Sequence, residues 1–217
     1  MTDAPMDLKA RARRAVIEAG FQPDFPAEVV REVQAIKQMA SVTARLPLGS
    51  PPSPSKPGLQ VRDLRSLLWS SIDNDTSRDL DQVEYVERLP DGGMRLLVGI
   101  ADVDASVAKG SATDGYAAGE GTSVYTGVAT FPMLPGELST DLTSLLDAQE
   151  RLSIIIELHV LDSGEVSCHD VYPGSLRNRA KLAYSSTGAW LEARGPMPAA
   201  VAATDLRFHR GYAGGGE

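Results

Sequence analysis

The 217-residue sequence predicts a mixed α+β fold, a mainly antiparallel sheet with flanking helices. Three observations carry that class. Extended helical periodicity is confined to the first forty or so residues. From Val83 onward, β-branched and apolar runs alternate with Gly-containing turns. Those turns are short enough to close hairpins, so successive strands run antiparallel. A 42% hydrophobic content is enough for a buried core.

The first element spans Leu8 to Gly20. Leu8, Ala12, Ala15, Val16 and Ala19 recur at helical spacing, and Gly20 suits the C-terminal stop. Phe21 to Pro26 is a stiff connector. Pro26 then fits the first turn of a second helix, Ala27 to about Ala40, with Val29, Val30, Val33 and Ile36 on one side. Residues 47–58 hold five prolines and read as a linker, so 1–46 is expected to be a separate helical segment. Val83–Arg88 and Met94–Ala101 flank the turn signal Leu89-Pro90-Asp91-Gly92-Gly93 and form a hairpin. Asp114 to Gly119 is a short helix, and Thr122 to Tyr125 is extended. Phe131 to Pro135 is a rigid loop, followed by a helical turn from Ser139 to Leu146 capped by Ser139 or Thr140. Leu152–Leu161 and Glu165–Tyr172 form a second hairpin around Asp162-Ser163-Gly164. A last helix runs from about Ser185 through Glu192, and the Gly-rich tail is a flexible sequence. No internal repeat is visible.

Composition removes several function classes. The single cysteine, Cys168, excludes an intrachain disulfide and a zinc site built on several thiolates. His159, His169 and His209 are scattered, and His159, inside an apolar run, reads as a packed residue rather than a ligand. Met1 to Asp7 lacks the basic and apolar regions of a signal peptide, and no apolar stretch is long enough to cross a membrane. The expectation is a cytoplasmic protein without a membrane partner. A net charge of −8 argues against a general nucleic-acid coat. The charge is uneven. Residues 1–65 carry ten Lys/Arg against seven Asp/Glu, leaving eleven against twenty-two for the remainder.

The densest acid lies at 73–81, where Asp73, Asp75, Asp79 and Asp81 fall within nine residues. Four carboxylates this close repel one another unless a divalent cation, an Arg or Lys, or protonation offsets the charge. Two chemistries fit. The first is a calcium loop of the EF-hand type, with Asp73, Asp75, Ser77, Asp79, Asp81 and Glu84 at positions 1, 3, 5, 7, 9 and 12. Against it, Arg78 stands where the sharp turn needs glycine, and a hairpin follows where a helix belongs. The second is phosphoryl transfer. Asp79 and Asp81 point to one side if the segment is extended, and Asp73 can reach the same point. Hard carboxylate oxygens suit magnesium or manganese, which would bind phosphate oxygens and polarise water.

Asp63 to Asp81, including Ser71-Ile72-Asp73-Asn74-Asp75-Thr76-Ser77-Arg78-Asp79-Leu80-Asp81, is similar to the opening of the catalytic domain of the ribonuclease II / ribonuclease R (RNB) exoribonucleases. The likeness continues through Val98 to Val103, Gly121 to Tyr125, Pro132 to Leu145 and Arg179 to Tyr184, in the family's order, and covers about residues 60 to 192. The resemblance implies 3′→5′ hydrolysis of single-stranded RNA to nucleoside 5′-monophosphates with Mg2+, and Mn2+ as an alternative. It makes Asp73, Asp79 and Asp81 the catalytic and metal-binding carboxylates. Tyr125 would hold the terminal nucleotides, with ring stacking as the physical reason, and Tyr184 would be a second substrate-binding tyrosine, near the scissile end. Arg179, in the basic group Arg177, Arg179 and Lys181, would contact phosphate, although a solvated strand end accounts for that group equally well.

Two departures set the alternatives. The family's fourth aspartate, directly after Asp81, is Gln82 here, a neutral amide where a carboxylate should sit. The family domain also continues past the matched blocks, into a half bearing an aromatic clamp and a charge-stabilising arginine. Residues 59–217 are therefore expected to be the N-terminal part of an RNB-like domain, completed by a second chain or a homodimer. The readings left open are an exoribonuclease, a catalytically inactive RNA-binding or scaffold module, and a calcium-loop module.

Overall fold

The computed structural model of the chain describes residues 7–43 and 60–204; the Pro-rich linker and the Gly-rich tail lie outside them. In chain order the elements are α1 (Leu8–Glu18), α2 (Ala27–Thr43), β1 (Arg62–Asp63), β2 (Trp69–Asp73), β3 (Gln82–Arg88), β4 (Met94–Ala101), α3 (Ala112–Glu120), β5 (Val124–Tyr125), β6 (Thr130–Phe131), β7 (Glu150–Val160), β8 (Val166–Ala183), α4 (Tyr184–Leu191) and α5 (Ala199–Thr204). They group into two compact units, one of residues 1–48 with 103–142 and one of 49–102 with 143–217. The N-terminal helices thus pack with a distant part of the chain, whereas the sequence reading set 1–46 apart.

In the first unit, local chemistry fixes both ends of α1. Asp7 Oδ1 accepts from the Ala10 amide at 3.0 Å, a side-chain cap. Gly20, at φ +93°, follows the helix; its amide bonds to Ile17 O and the Phe21 amide to Val16 O. That pair of bonds is the Schellman ending, which needs the left-handed conformation glycine adopts most cheaply. Val29 and Val33 of α2 are buried against Val107, Tyr116 and Leu138. Glu32 of α2 accepts from the Thr113 amide at 2.9 Å and its hydroxyl at 3.1 Å, satisfying the start of α3. The helical turn expected from Ser139 is a single π-helical turn, Leu138–Leu142. It starts earlier because Leu138, fully buried, anchors it and the Pro135 carbonyl takes the Leu138 and Ser139 amides.

The second unit is a closed ring of strands. The sheet order is β1-β8-β2-β3-β4-β7, and β7 also pairs with β8, so β2, β3, β4, β7 and β8 enclose an interior. All ring pairings are antiparallel except β2 with β8. Trp69, Val83, Leu97, Ile155 and Leu176 fill the interior with essentially no exposure. Gly99 and Gly174 face it where a side chain would not fit: a Cβ on Gly99 would lie 2.6 Å from Leu176 Cδ2, and one on Gly174 2.8 Å from Ile155 Cγ1. β8 continues to Ala183, past the strand end expected at Tyr172. At Pro173-Gly174 the strand passes close beneath the Ile155 and Leu64 side chains and does not stop. From there β8 exchanges partners, antiparallel to β7 up to Arg177 and parallel to β2 from Asn178. Outside the ring, Trp190 and Val201 of α4 and α5 pack on Ala180 and Leu182. Among the described residues no helix is long and apolar enough to cross a membrane.

Candidate functional site

The acidic segment is the loop between β2 and β3. Its shape follows from one buried side chain. Leu80 is 1% exposed, while Asp79 and Asp81 on either side are exposed. An extended backbone alternates its side chains, so anchoring Leu80 in the core turns both carboxylates outward.

The anchor is held from the segment after the π turn. Ser144 Oγ accepts from the Leu80 amide at 3.0 Å and donates to Arg78 O at 2.7 Å. The Leu145 amide donates to Leu80 O at 2.7 Å. The first half of the loop is fixed from β8, where Lys181 Nζ donates to Asp75 O at 3.1 Å and Ser77 O at 2.5 Å. Ser144 was not singled out in sequence. Only its place in a block resembling the RNB family pointed to it, since a buried serine carries no sequence signal of its own.

Asp73 ends β2 and is half-buried; its Oδ1 accepts from the Asn74 amide and the Ser77 hydroxyl, both at 2.7 Å. Asp75 Oδ2 accepts from Ser185 Oγ at 3.1 Å, which ties it to α4. Gln82 opens β3 and its Nε2 donates to Glu84 Oε1. Burial raises the Glu84 carboxyl above its ordinary value, against the lowering effect of the Gln82 amide.

Gln82 and Glu84 line a cavity of about 380 Å3 with Ile72, Tyr184, Thr187 and Leu191. The structure thus brings Tyr184, which is 60% exposed, to the same cavity as Gln82. Arg179 Nη2 donates to Arg65 O at 2.6 Å, and Arg177 Nη2 to Glu150 Oε1 at 2.6 Å. Tyr125, on β5 of the first unit, is 69% exposed.

Three carboxylates without a thiolate or imidazole among them suit a hard divalent cation by donor type. The side chains stand further apart than a closed cage requires. Among the described residues, the one group of three His, Cys, Asp or Glu ligand atoms within 4.8 Å of one another is Glu157, His159 and His169. The calcium-loop reading fails on architecture: strands β2 and β3 flank the loop where an EF-hand needs helices.

Comparison with known proteins supplies the relationship. The model of the RNB domain family matches residues 61–207. Ribonuclease R of Thermotoga maritima is 36% identical over 169 residues, covering 78% of this chain and 22% of that protein. Exoribonuclease 2 of Enterobacter sp. (strain 638) is 36% identical over 139 residues, covering 64% of this chain and 22% of that protein. Among solved structures, Mycoplasma genitalium RNase R in complex with ribose-methylated single-stranded RNA matches with a TM-score of 0.63 at 26% identity. That match covers 82% of this chain and 29% of the RNase R chain. The chain therefore spans 22% of the length of either relative. The family match takes in the whole strand ring and the acidic loop, and the chain belongs to the RNB domain family.

Proposed function

We propose that this chain carries the acidic part of a 3′→5′ exoribonuclease site that hydrolyses single-stranded RNA to nucleoside 5′-monophosphates. The observation that carries the reading is the Asp79-Leu80-Asp81 segment. Its two carboxylates are directed outward by a buried leucine, within a chain of the RNB family. Asp73, Asp79 and Asp81 would hold Mg2+, or Mn2+ in its place. Such an ion supplies charge neutralisation at the scissile phosphate and a more acidic bound water.

The chain's own residues do the rest. Ser144 and Lys181 fix the loop before substrate arrives, so its carboxylates need little reorganisation on binding. Tyr184, exposed at the mouth of the Gln82 cavity, offers a ring face on which a terminal base can stack. Tyr125 offers a second exposed ring. Arg179 keeps its Nη2 on a backbone carbonyl, so its part is to brace β8 near the site as well as to add positive charge.

The test is release of 5′-monophosphates from labelled single-stranded RNA with Mg2+. We expect release by the wild-type chain and a loss of at least about 100-fold in Asp81→Asn, the size expected for removing one charge-stabilising group. No release, or release unaffected by Asp81→Asn, overturns the reading.

One observation favours a second reading, a catalytically inactive RNA-binding or scaffold module. Gln82 replaces the family's fourth carboxylate and spends its amide on Glu84. RNA binding without cleavage in the wild-type chain, with cleavage appearing in Gln82→Asp, is the outcome this reading expects.

A further inference from the structure

The turn end of the β7–β8 hairpin carries a cluster that RNA cleavage does not use. Glu157 and His159 are alternate residues of β7 and share one face. His169 reaches that face through an irregularity in the ladder. Glu157 pairs with Asp170 and Leu158 with Cys168, which leaves His169 as the extra residue of a bulge. Bulges re-aim side chains in this way. The two imidazoles then stack with centroids 4.4 Å apart and planes 9° apart. His159 Nε2 lies 3.9 Å from Glu157 Oε1, and one ligand atom from each of the three residues falls within 4.8 Å of the others. A tetrahedral site with bonds of about 2.1 Å has edges of about 3.4 Å, so the three ligand atoms must draw together by side-chain rotations that turn the two rings out of their stack.

The donors decide which ion. Two neutral imidazoles favour zinc, nickel, cobalt or copper over magnesium. Glu157 is buried, and Arg95 Nε and Nη2 and the Tyr172 hydroxyl bond its carboxylate at 2.7, 2.9 and 2.9 Å. It is a fixed third partner whose charge is largely met by Arg95, so the histidines contribute most of the affinity. His169 is exposed and His159 partly so, which leaves the ion a path in and room for water ligands.

We propose that His159 and His169, with Glu157 as the third partner, form a binding site for a borderline divalent transition ion of the zinc class, distinct from the acidic loop. The lone pair of an imidazole lies in the ring plane, so two parallel rings cannot both address one ion. Binding must therefore unstack the pair, and the ion would clamp β7 to β8 across the bulge.

The experiment is calorimetric titration of the full chain with Zn2+ in excess Mg2+, with folding of every variant checked by circular dichroism. Imidazole nitrogen resonances and the visible spectrum of the Co2+ form are recorded alongside. We expect one Zn2+ per chain that Mg2+ does not displace, and shifts at both His159 and His169. His159→Gln and His169→Gln should each weaken binding at least about 10-fold, while Cys168→Ser and Asp81→Asn should leave it within about 2-fold. Absence of binding at about 100 μM Zn2+, a site far weaker than an imidazole-built one, overturns the proposal. So does binding that the two histidine variants leave intact, or that Cys168→Ser or Asp81→Asn abolishes.

Discussion

At the scale of single residues, charge placement governs. Arg95 bonds Glu157 through Nε and Nη2 and Glu87 through Nη1, so one guanidinium serves two carboxylates and a tyrosine hydroxyl completes the network. The Arg95 hydrogen bonds hold the Glu157 carboxyl down at about 2, against the effect of its burial. A carboxyl whose folded-state value is depressed stabilises the fold above its ordinary value. That stability is lost as pH falls from about 4.5 to about 2. Removing the guanidinium in Arg95→Met leaves a buried carboxylate with one hydroxyl donor and should destabilise the chain by about 3 kcal/mol near neutral pH. Urea unfolding of wild type and variant between about pH 6 and pH 2 checks both statements, because the difference between them should shrink across that window. A difference independent of pH would contradict the assignment.

At the scale of elements, the loop after β2 is held by hydrogen bonds from other segments of the chain. Ser144→Ala would leave the buried Leu80 amide without its acceptor, at a cost of about 1–3 kcal/mol. Under the exoribonuclease reading Ser144 is a positioning residue. Its loss should lower kcat more than it raises KM for RNA, and Ser144→Thr should restore part of the rate. An effect on stability with no effect on kcat would separate the loop's anchor from the site. The strand ring makes its own prediction. Leu176, Val83 and Ile155 leave no space for a Cβ at Gly99, so Gly99→Ala should cost about 1–3 kcal/mol by overpacking, read as a lower urea midpoint at unchanged slope. An unchanged midpoint would mean that the interior relaxes around the added methyl.

At the scale of the whole molecule, a net charge of −8 would limit how the proposed RNA substrate is held. Of the basic side chains in or bonded near the acidic loop, Lys181 bonds loop carbonyls, Arg179 bonds Arg65 O and Arg177 bonds Glu150, while Arg78, inside the loop, is exposed. Under the exoribonuclease reading few phosphates would be neutralised, and base stacking on Tyr184 would have to supply much of the affinity. If three phosphates are contacted, the slope of log K against log salt is about −2 for single-stranded RNA. Fluorescence titration over a salt series measures it. A slope steeper than about −4 would mean a basic surface that this charge distribution does not provide.

Much of the fold was legible in the amino-acid order. The Gly20 helix stop, the β3–β4 hairpin, the β7–β8 turn and the acidic loop all rest on contacts between residues close in sequence, or on the alternation of a single strand. The grouping of the N-terminal helices with residues 103–142 was not legible, nor was the change of partners along β8, because both depend on residues many positions apart. The site divides the same way. Asp73, Asp79 and Asp81 are conspicuous in sequence, and the family resemblance gave them a role. Only the tertiary structure decided that Leu80 aims two of them, that Ser144 and Lys181 hold their loop, and that Gln82 faces Glu84 and Tyr184 around one cavity. It also decided the setting of His159, which reads in sequence as a packed residue of an apolar strand. A bulge one strand away, invisible to any pattern along β7, places His169 against it. Sequence determines which groups are available, and the long-range pairing of strands determines which of them meet.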